Sequence, residues 1–348
     1  MVALMSVAVI IPLFNGAEWI RFTLASVLAQ THPPAEILVV NDHSTDNSAE
    51  IVKKFPKVRL VDHPEKGANL ARRFGTTLTD SPLIAMLDQD DIWHPQHLHL
   101  LVQWLTIQER CRAVCATECD ISRTQPQPNW NLSDLRRESF NAWKIFPFGP
   151  RIGSPSAVLI RRNALDEIGG WPTEFPGMAD YFTWLGVSAN GTPRGSMAAS
   201  RGCTMARRRH QSSYSSALRT GDALATYSKN QLRASRAAAE RFGALSPLDI
   251  QTLAQRLDMA ESLHQIVLAF IRQDWDSFRS TVHHVWTLLD DQPLEFRRKF
   301  GSMVCWLFDG RRPRAEAIAL FDRVLTCWPA EDLSTRQLLQ RRRDIYAA

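Results

Sequence analysis

The stretch LIAMLDQDDIWHP (83–95) decides how this chain is read. An uninterrupted apolar run halts on three carboxylates, Asp88, Asp90 and Asp91, and Ile92 and Trp93 follow at once. Such a run reads as a strand buried on both faces. Carboxylates this close repel one another and raise each other's pKa unless positive charge sits among them. The stretch therefore predicts a buried strand that delivers acid to its carboxyl end, and a cationic partner supplied from elsewhere.

Three more apolar runs precede it, VAVIIPLF (7–14), EILVVND (36–42) and VRLVD (58–62). Between them lie helical stretches: EWIRFTLASVLAQ (18–30), a short one after Asn47 with Glu50 completing a capping box, and NLARRFGTTLTD (69–80). Strand–helix alternation with short loops predicts an α/β fold, an open and mostly parallel sheet flanked by helices. Ligands of such sheets bind beyond the carboxyl ends of the strands, where strand order reverses. Asn41 and Asp42 end the second run as the three acids end the fourth, so two acidic loops are expected to share one crevice. A helix and a strand follow (HPQHLHLLVQWLTIQ, then RAVCATEC), then a loop-like stretch over 124–150. Patterned sequence resumes in PSAVLIRRNALDEIGGW and ADYFTWLGV.

From about residue 222 Ala, Leu, Gln and Arg dominate with helical apolar spacing, which divides the chain into a domain over 1–220 and an α-helical C-terminal domain or extension over 221–348. AFIRQDWDSF and WLFDGRRPRAEA hint at a helical-hairpin repeat near 37 residues. At 348 residues, 45% hydrophobic and 22% charged, the chain has ordinary globular composition, which excludes intrinsic disorder. No run of about 18 uncharged apolar residues exists, and the N-terminus lacks a basic region before its apolar stretch. Neither a signal peptide nor a membrane span is expected, and the location read from this is cytoplasmic.

Six cysteines without a small secreted framework fit a reducing compartment. The spacing of Cys111, Cys115 and Cys119 matches neither zinc knuckles nor an iron–sulfur run, so buried free thiols are expected. The net charge of +5 is concentrated: Arg194, Arg201, Arg207, Arg208, Arg209 and Arg219 share one segment with no acid between the first and the last. Arginines confined to one segment, with scattered tryptophans, do not make a nucleic-acid surface, so no nucleic-acid partner is expected.

PLFNGAEW after the first strand is neither a dinucleotide fingerprint nor a P-loop. Clustered carboxylates suit Mg²⁺ or Mn²⁺, which takes one or two of them and fills its remaining positions with substrate phosphates. The competing reading makes the acids caps of the helix that begins near Pro95.

The collinear series VIIPLFN, LASVLAQTHPPAEILVVNDHSTDNS, KGANLARRFG, IAMLDQDDIWHP, SAVLIRRNALDEIGGW, MADYFTWL and RRRHQSSYS resembles family 2 glycosyltransferases of the GT-A fold over roughly residues 7–216. The resemblance implies that Pro12, Phe14 and Asn15 form the loop under the nucleotide base and that Asp42 accepts the uracil N–H. Asn41 replaces the first acid of the usual pair. Gly67 and Arg72 then lie beside base and phosphates. Asp88 and Asp90 form the DxD, with ribose and metal as targets, and Asp90 and Asp91 are the metal ligands expected. Asp180 is the implied base, with Ala179 in place of its acidic neighbour. Gly169, Gly170 and Trp171 match a turn beside the donor sugar. Arg208 and His210 match an Arg-x-His on a loop that closes over the diphosphate.

Each role has a plainer competitor. Asp42 can shape its own turn, Arg72 can lie on a solvated face, and the paired glycines can end the helix RRNALDEI. Trp93 and Pro95 read as packing and helix entry. The function implied is an inverting, metal-dependent transferase that moves a sugar from a nucleotide-sugar donor, a UDP-sugar, to an acceptor hydroxyl in surface-glycan or polysaccharide synthesis. A glycan, a lipid-linked glycan or a protein would all serve as acceptor. The alternative is a nucleotide-sugar-binding partner or sensor that has lost activity. The helical region is expected to hold the acceptor or to dock on a partner or a membrane surface, to which QRRRD (340–344) is suited. Homo-oligomerisation is left open.

Overall fold

The computed structural model describes residues 5–121, 127–132, 137–144, 146–147, 152–189, 197–208, 210, 221–289, 300–301, 314–330 and 332–347. The chain forms two compact units: Met1–Lys144, Gly149–Ser213 and Glu240–Pro247 in one, Ile145–Phe148, Tyr214–Ala239 and Leu248–Ala348 in the other.

The first unit opens with β1 (Val7–Leu13), α1 (Ile20–Leu28), β2 (Glu36–Asn41), α2 (Ser48–Val52), β3 (Arg59–Asp62), α3 (Ala68–Thr77) and β4 (Leu83–Met86). β1 is flanked in parallel by β2, through Val9 opposite Ile37, and by β4, through Val9 opposite Ala85. Every residue of β1 and β4 is buried, which is why both read as unbroken apolar runs. β3 lies at the sheet edge, half-exposed, and carries charge at both ends. α3 packs on β1 and β2 across Gly75, where a Cβ would stand 2.5 Å from Ile10 Cγ2 and 3.3 Å from Val40 Cγ2.

Beyond β4 the sheet is mixed. β5 (Ile92–Trp93), α4 (His97–Ile107), β6 (Ala113–Ile121), β7 (Arg137–Phe140), β8 (Val158–Arg161), α5 (Arg162–Glu167), α6 (Ala179–Ala189) and β9 (Met197–Arg208) complete the unit, in the order β3-β2-β1-β4-β8-β6-β9-β5 with β7 also on β9. β8 runs antiparallel to β4 and β6, while β9 runs parallel to β6. The expected α/β fold with an open, helix-flanked sheet is what forms, and its parallel part is β3-β2-β1-β4.

Two local expectations need correction. Asn47 occupies the N-cap of α2 but makes no capping hydrogen bond; Asp46 takes the Ser48 N–H at 3.0 Å and the Ala17 N–H at 3.0 Å, and Glu50 pairs with Lys53 at 2.6 Å. The basic segment read as a closing loop is, through Arg208, the strand β9. Arg194, Arg209 and Arg219 lie outside the described residues.

The second unit is helical: α7 (Gly221–Phe242) as far as Ala239, α8 (Ile250–Arg272), α9 (Trp275–Leu288), α10 (Arg314–Cys327) and α11 (Leu333–Ala347). α8 and α9 form a hairpin, because Gln273 adopts a left-handed conformation at the C-cap and Asp274 caps α9 through Ser277 N at 3.0 Å. Its core includes Met259, Ile266, Phe270, Phe278, Val282, Phe321 and Val324. Most of the second copy of the suspected repeat lies outside the described residues. Among the described residues no helix is long and apolar enough to cross a membrane. In the basic tail Arg343 pairs with Asp322 at 2.9 Å and Gln340 donates to Asp344 at 2.9 Å.

Candidate active site

The three acids after β4 each receive their own partner. Asp88 forms an ion pair with Arg72 from α3, and its N–H donates to Ser156 Oγ at 3.0 Å. Asp90 Oδ2 lies 2.7 Å from His210 Nε2. Asp91 is 2% exposed; its carboxylate accepts from the Arg208 backbone N–H at 3.2 Å and from Ser154 Oγ at 3.4 Å. Burial and the neighbouring charge of Asp88 raise the Asp90 pKa, and burial with both neighbouring carboxylates raises that of Asp91 well above the usual range. The acids do not cap α4, whose N-cap is Gln96 without a side-chain bond. Trp93 is buried and donates to the Ser156 carbonyl at 2.7 Å, the packing role expected of it.

The ends of β1 and β2 are tied together beside the acids. Pro12 is buried inside β1, beyond the last pair with β4. Phe14 is 39% exposed, with Lys66 Nζ 4.6 Å from its ring centre, and Gln89 clamps its backbone at both ends: Phe14 N donates to Oε1 at 2.8 Å and Nε2 donates to Phe14 O at 2.9 Å. Gly16 is needed opposite this clamp, since a Cβ there would stand 2.6 Å from Gln89 Oε1. Asn15 is left-handed, and its Oδ1 accepts from Thr45 N at 2.7 Å. Asp42 is buried and accepts from Gly67 N at 2.6 Å, which fixes the entry to α3. Asn41 donates to Asp62 Oδ1 at 2.8 Å.

α3 and α6 bring the proposed base to the same crevice. Asp180 sits in the first turn of α6, and its pKa is raised to about 6. Burial dominates; Asp88 also raises it, while the Tyr181 N–H and the charge of Arg72 oppose. Arg72 thus serves Asp88 directly and Asp180 through its field, and it is no solvated side chain at 12% exposure. Gly169 and Gly170 close α5 with the Gly169 N–H on Asp166 O at 2.8 Å and the Gly170 N–H on Leu165 O at 2.9 Å, so the helix-ending reading of the pair holds. Trp171 is 1% exposed, donates to Asn69 Oδ1 at 3.3 Å and accepts from Arg73 at 3.2 Å. A residue so buried supports α3 and presents no face to a sugar.

The end of β9 supplies the cations. Arg207 pairs with Glu118 at 3.2 Å and with Asp120 at 3.4 Å, both on β6, so it is neutralised by the neighbouring strand. Arg208 instead places its guanidinium 4.6 Å from the Trp19 ring centre, and the His210 ring lies 5.4 Å from the same indole. Trp19, Gln89, Ser154 and Ser156 were missed by sequence reading. Only Trp19, an aromatic just ahead of a helix and next to the site loop, left a signal there.

Asp90 keeps Oδ1 outside the His210 bond and Asp88 keeps Oδ2 outside the Arg72 pair. Two such carboxylates with phosphate oxygens are a donor set suited to Mg²⁺ or Mn²⁺. Asp91, buried with both oxygens engaged, does not fit the ligand role expected of it. Among the described residues no group of three or more His, Cys, Asp or Glu stands ready to hold a metal, so phosphate would have to complete the set.

The chain as a whole is similar to known proteins. The family model described as Glycosyl transferase family 2 matches residues 8–169. The uncharacterized glycosyltransferase YibD of Escherichia coli (strain K12) is 32% identical over 144 residues, 40% of this chain and 38% of YibD. The uncharacterized glycosyltransferase alr2836 of Nostoc sp. is 34% identical over 178 residues, 47% of this chain and 53% of the relative. The chain therefore spans about half or less of the length of these relatives. S. aureus TarS 1-349, solved in complex with UDP-GlcNAc, superposes with a TM-score of 0.58 at 16% identity, over 97% of this chain and 91% of that one. At that identity the likeness is one of fold.

Proposed function

We propose, from the match of residues 8–169 to the family model of glycosyl transferase family 2, that the chain moves a sugar from a nucleoside-diphosphate donor to an acceptor hydroxyl with inversion at the anomeric carbon. The observation that carries this reading is Asp180, a carboxyl raised to about 6 in the crevice that also holds the Arg72–Asp88 pair. A base poised below neutral pH is ionised when needed and still basic enough to accept a proton.

The acceptor oxygen attacks the anomeric carbon while the bond to the diphosphate oxygen breaks, and the bonding pair leaves with the diphosphate. Asp180 takes the acceptor proton. Phe14, held by Gln89, and Asp42, held by Gly67, shape the base pocket; Gly67 and Arg72 border base and phosphate. Asp88 faces the ribose, and Asp88 with Asp90 would hold Mg²⁺ or Mn²⁺, which neutralises charge on the leaving diphosphate when bound. Arg208 and His210 add positive or hydrogen-bonding groups on the same side. Gly170 keeps the backbone ahead of buried Trp171 in place.

UDP is the nucleotide proposed, in line with a fold neighbour solved with UDP-GlcNAc. The acceptor proposed is a glycan end, lipid-linked or on a polysaccharide, in surface-glycan synthesis. The helical unit would hold it or dock on a partner or membrane surface, with the protein in the cytoplasm. Calorimetric titration of UDP with Mn²⁺ and with EDTA, repeated on Asp90→Ala, tests the donor site. Metal-dependent binding lost in the variant is expected; silence toward UDP, GDP, dTDP and CDP alike would end the reading.

A further inference from the structure

Trp19 occupies the N-cap of α1, half-buried, and two groups from the far end of the chain segment rest on it. Arg208 Cζ lies 4.6 Å from its ring centre and the His210 imidazole 5.4 Å away at an interplanar angle of 31°. Phe22, one turn on and 43% exposed, lies 5.9 Å from the same guanidinium and 4.3 Å from that of Arg21. Rings and cations thus alternate along one face of α1.

The arrangement solves a problem of charge. A guanidinium beside Asp90 and Asp91 would ordinarily collapse onto a carboxylate, as Arg72 does on Asp88 and Arg207 on Glu118 and Asp120. Arg208 gives Asp91 only its backbone N–H, and its Nε is buried without a hydrogen bond among the described residues. The electron-rich indole face attracts the cation without neutralising it. Among the described residues no ion pair joins this guanidinium to an acid, so its charge is left for an anion to meet.

We propose that Trp19 is a positioning residue that seats Arg208 and His210 at the donor site and keeps the guanidinium from pairing with the acids. The inference rests on the donor-site reading above for its consequence, and on geometry alone for the seat itself. It is tested in the full chain without ligand by hydrogen exchange, comparing wild type, Trp19→Phe and Trp19→Leu. In Trp19→Leu the peptide carrying the Arg208 amide should exchange about tenfold faster, with peptides of β1 and β4 unchanged and Trp19→Phe close to wild type. Unchanged exchange at Arg208, or a rise equally large in β1 and β4, would overturn the seat.

UDP affinity supplies a second arm. Trp19→Leu should weaken UDP about tenfold, and adding it to Arg208→Ala should weaken binding no further than Arg208→Ala alone. Additive losses would mean that Trp19 acts by general stability and would overturn the proposal. A wild-type protein that binds no nucleoside diphosphate would sink the donor reading while the exchange result still judges the seat.

Discussion

His210 Nε2 stands 2.7 Å from Asp90 Oδ2, so an imidazole from beyond the last strand of the sheet completes a carboxylate loop presented 120 positions earlier. This contact orients the Asp90 carboxylate, whose burial and proximity to Asp88 disfavour its charge. His210→Ala should lower kcat about 100-fold, a loss of the size found when one group stabilising developing charge is removed. Steady-state kinetics would show this as a fall in kcat larger than any rise in donor KM.

Asp180 predicts an acid limb. Only its carboxylate form accepts a proton, so kcat/KM should fall tenfold per pH unit below about 6 and be flat above it. Asp180→Asn should abolish turnover and leave UDP binding in place.

The same shift predicts a stability effect of definite sign. The folded pKa of about 6 exceeds the unfolded value of 3.8, so this carboxyl stabilises the fold below pH 3.8, and that contribution is lost as pH rises through 6. Asp180→Asn should therefore raise stability at pH 8 by up to about 3 kcal/mol, with the gain shrinking as pH falls, read from denaturant melts across that range.

Arg72 opposes the upward shift of Asp180 through its charge. Arg72→Ala should move the acid limb above 6, whereas Arg72→Lys should hold it near its original place. A pH–rate profile unmoved by Arg72→Ala would show that the two groups are not coupled.

Gln89→Ala should remove the two bonds that hold Phe14 and weaken UDP about tenfold, measured by calorimetry. Gly75→Ala should cost about 2 kcal/mol in a denaturant melt, because its Cβ would press on Ile10 at the interface of α3 with the sheet.

The parallel half of the sheet was legible because β1, β2 and β4 are buried on both faces and write that burial directly into the sequence. Asp88, Asp90 and Asp180 were legible through their collinear motifs. Arg72, Arg208 and His210 were named from the same motifs, but their pairings with Asp88, Asp91 and Asp90 were not legible: they span 16, 117 and 120 positions, and no periodicity encodes such pairing. β9 was hidden for a related reason. Its charges, Arg207 above all, are matched by Glu118 and Asp120 on β6, so a strand reads as a solvated basic run until its neighbour is known. Trp171 was misread because an aromatic after paired glycines looks the same in sequence whether it faces a ligand or a core.

The Thr23 hydroxyl lies 2.7 Å from the Gln89 carbonyl and 2.8 Å from the Asp91 carbonyl, sharing its proton between them. Thr23 stands one helical turn after Trp19. A single stretch of α1 is therefore the common datum from which the acidic loop and the cationic strand end are both measured. Replacing Thr23 by Val would therefore loosen the acidic loop from the helix that also seats the cations, without removing any charge from the crevice.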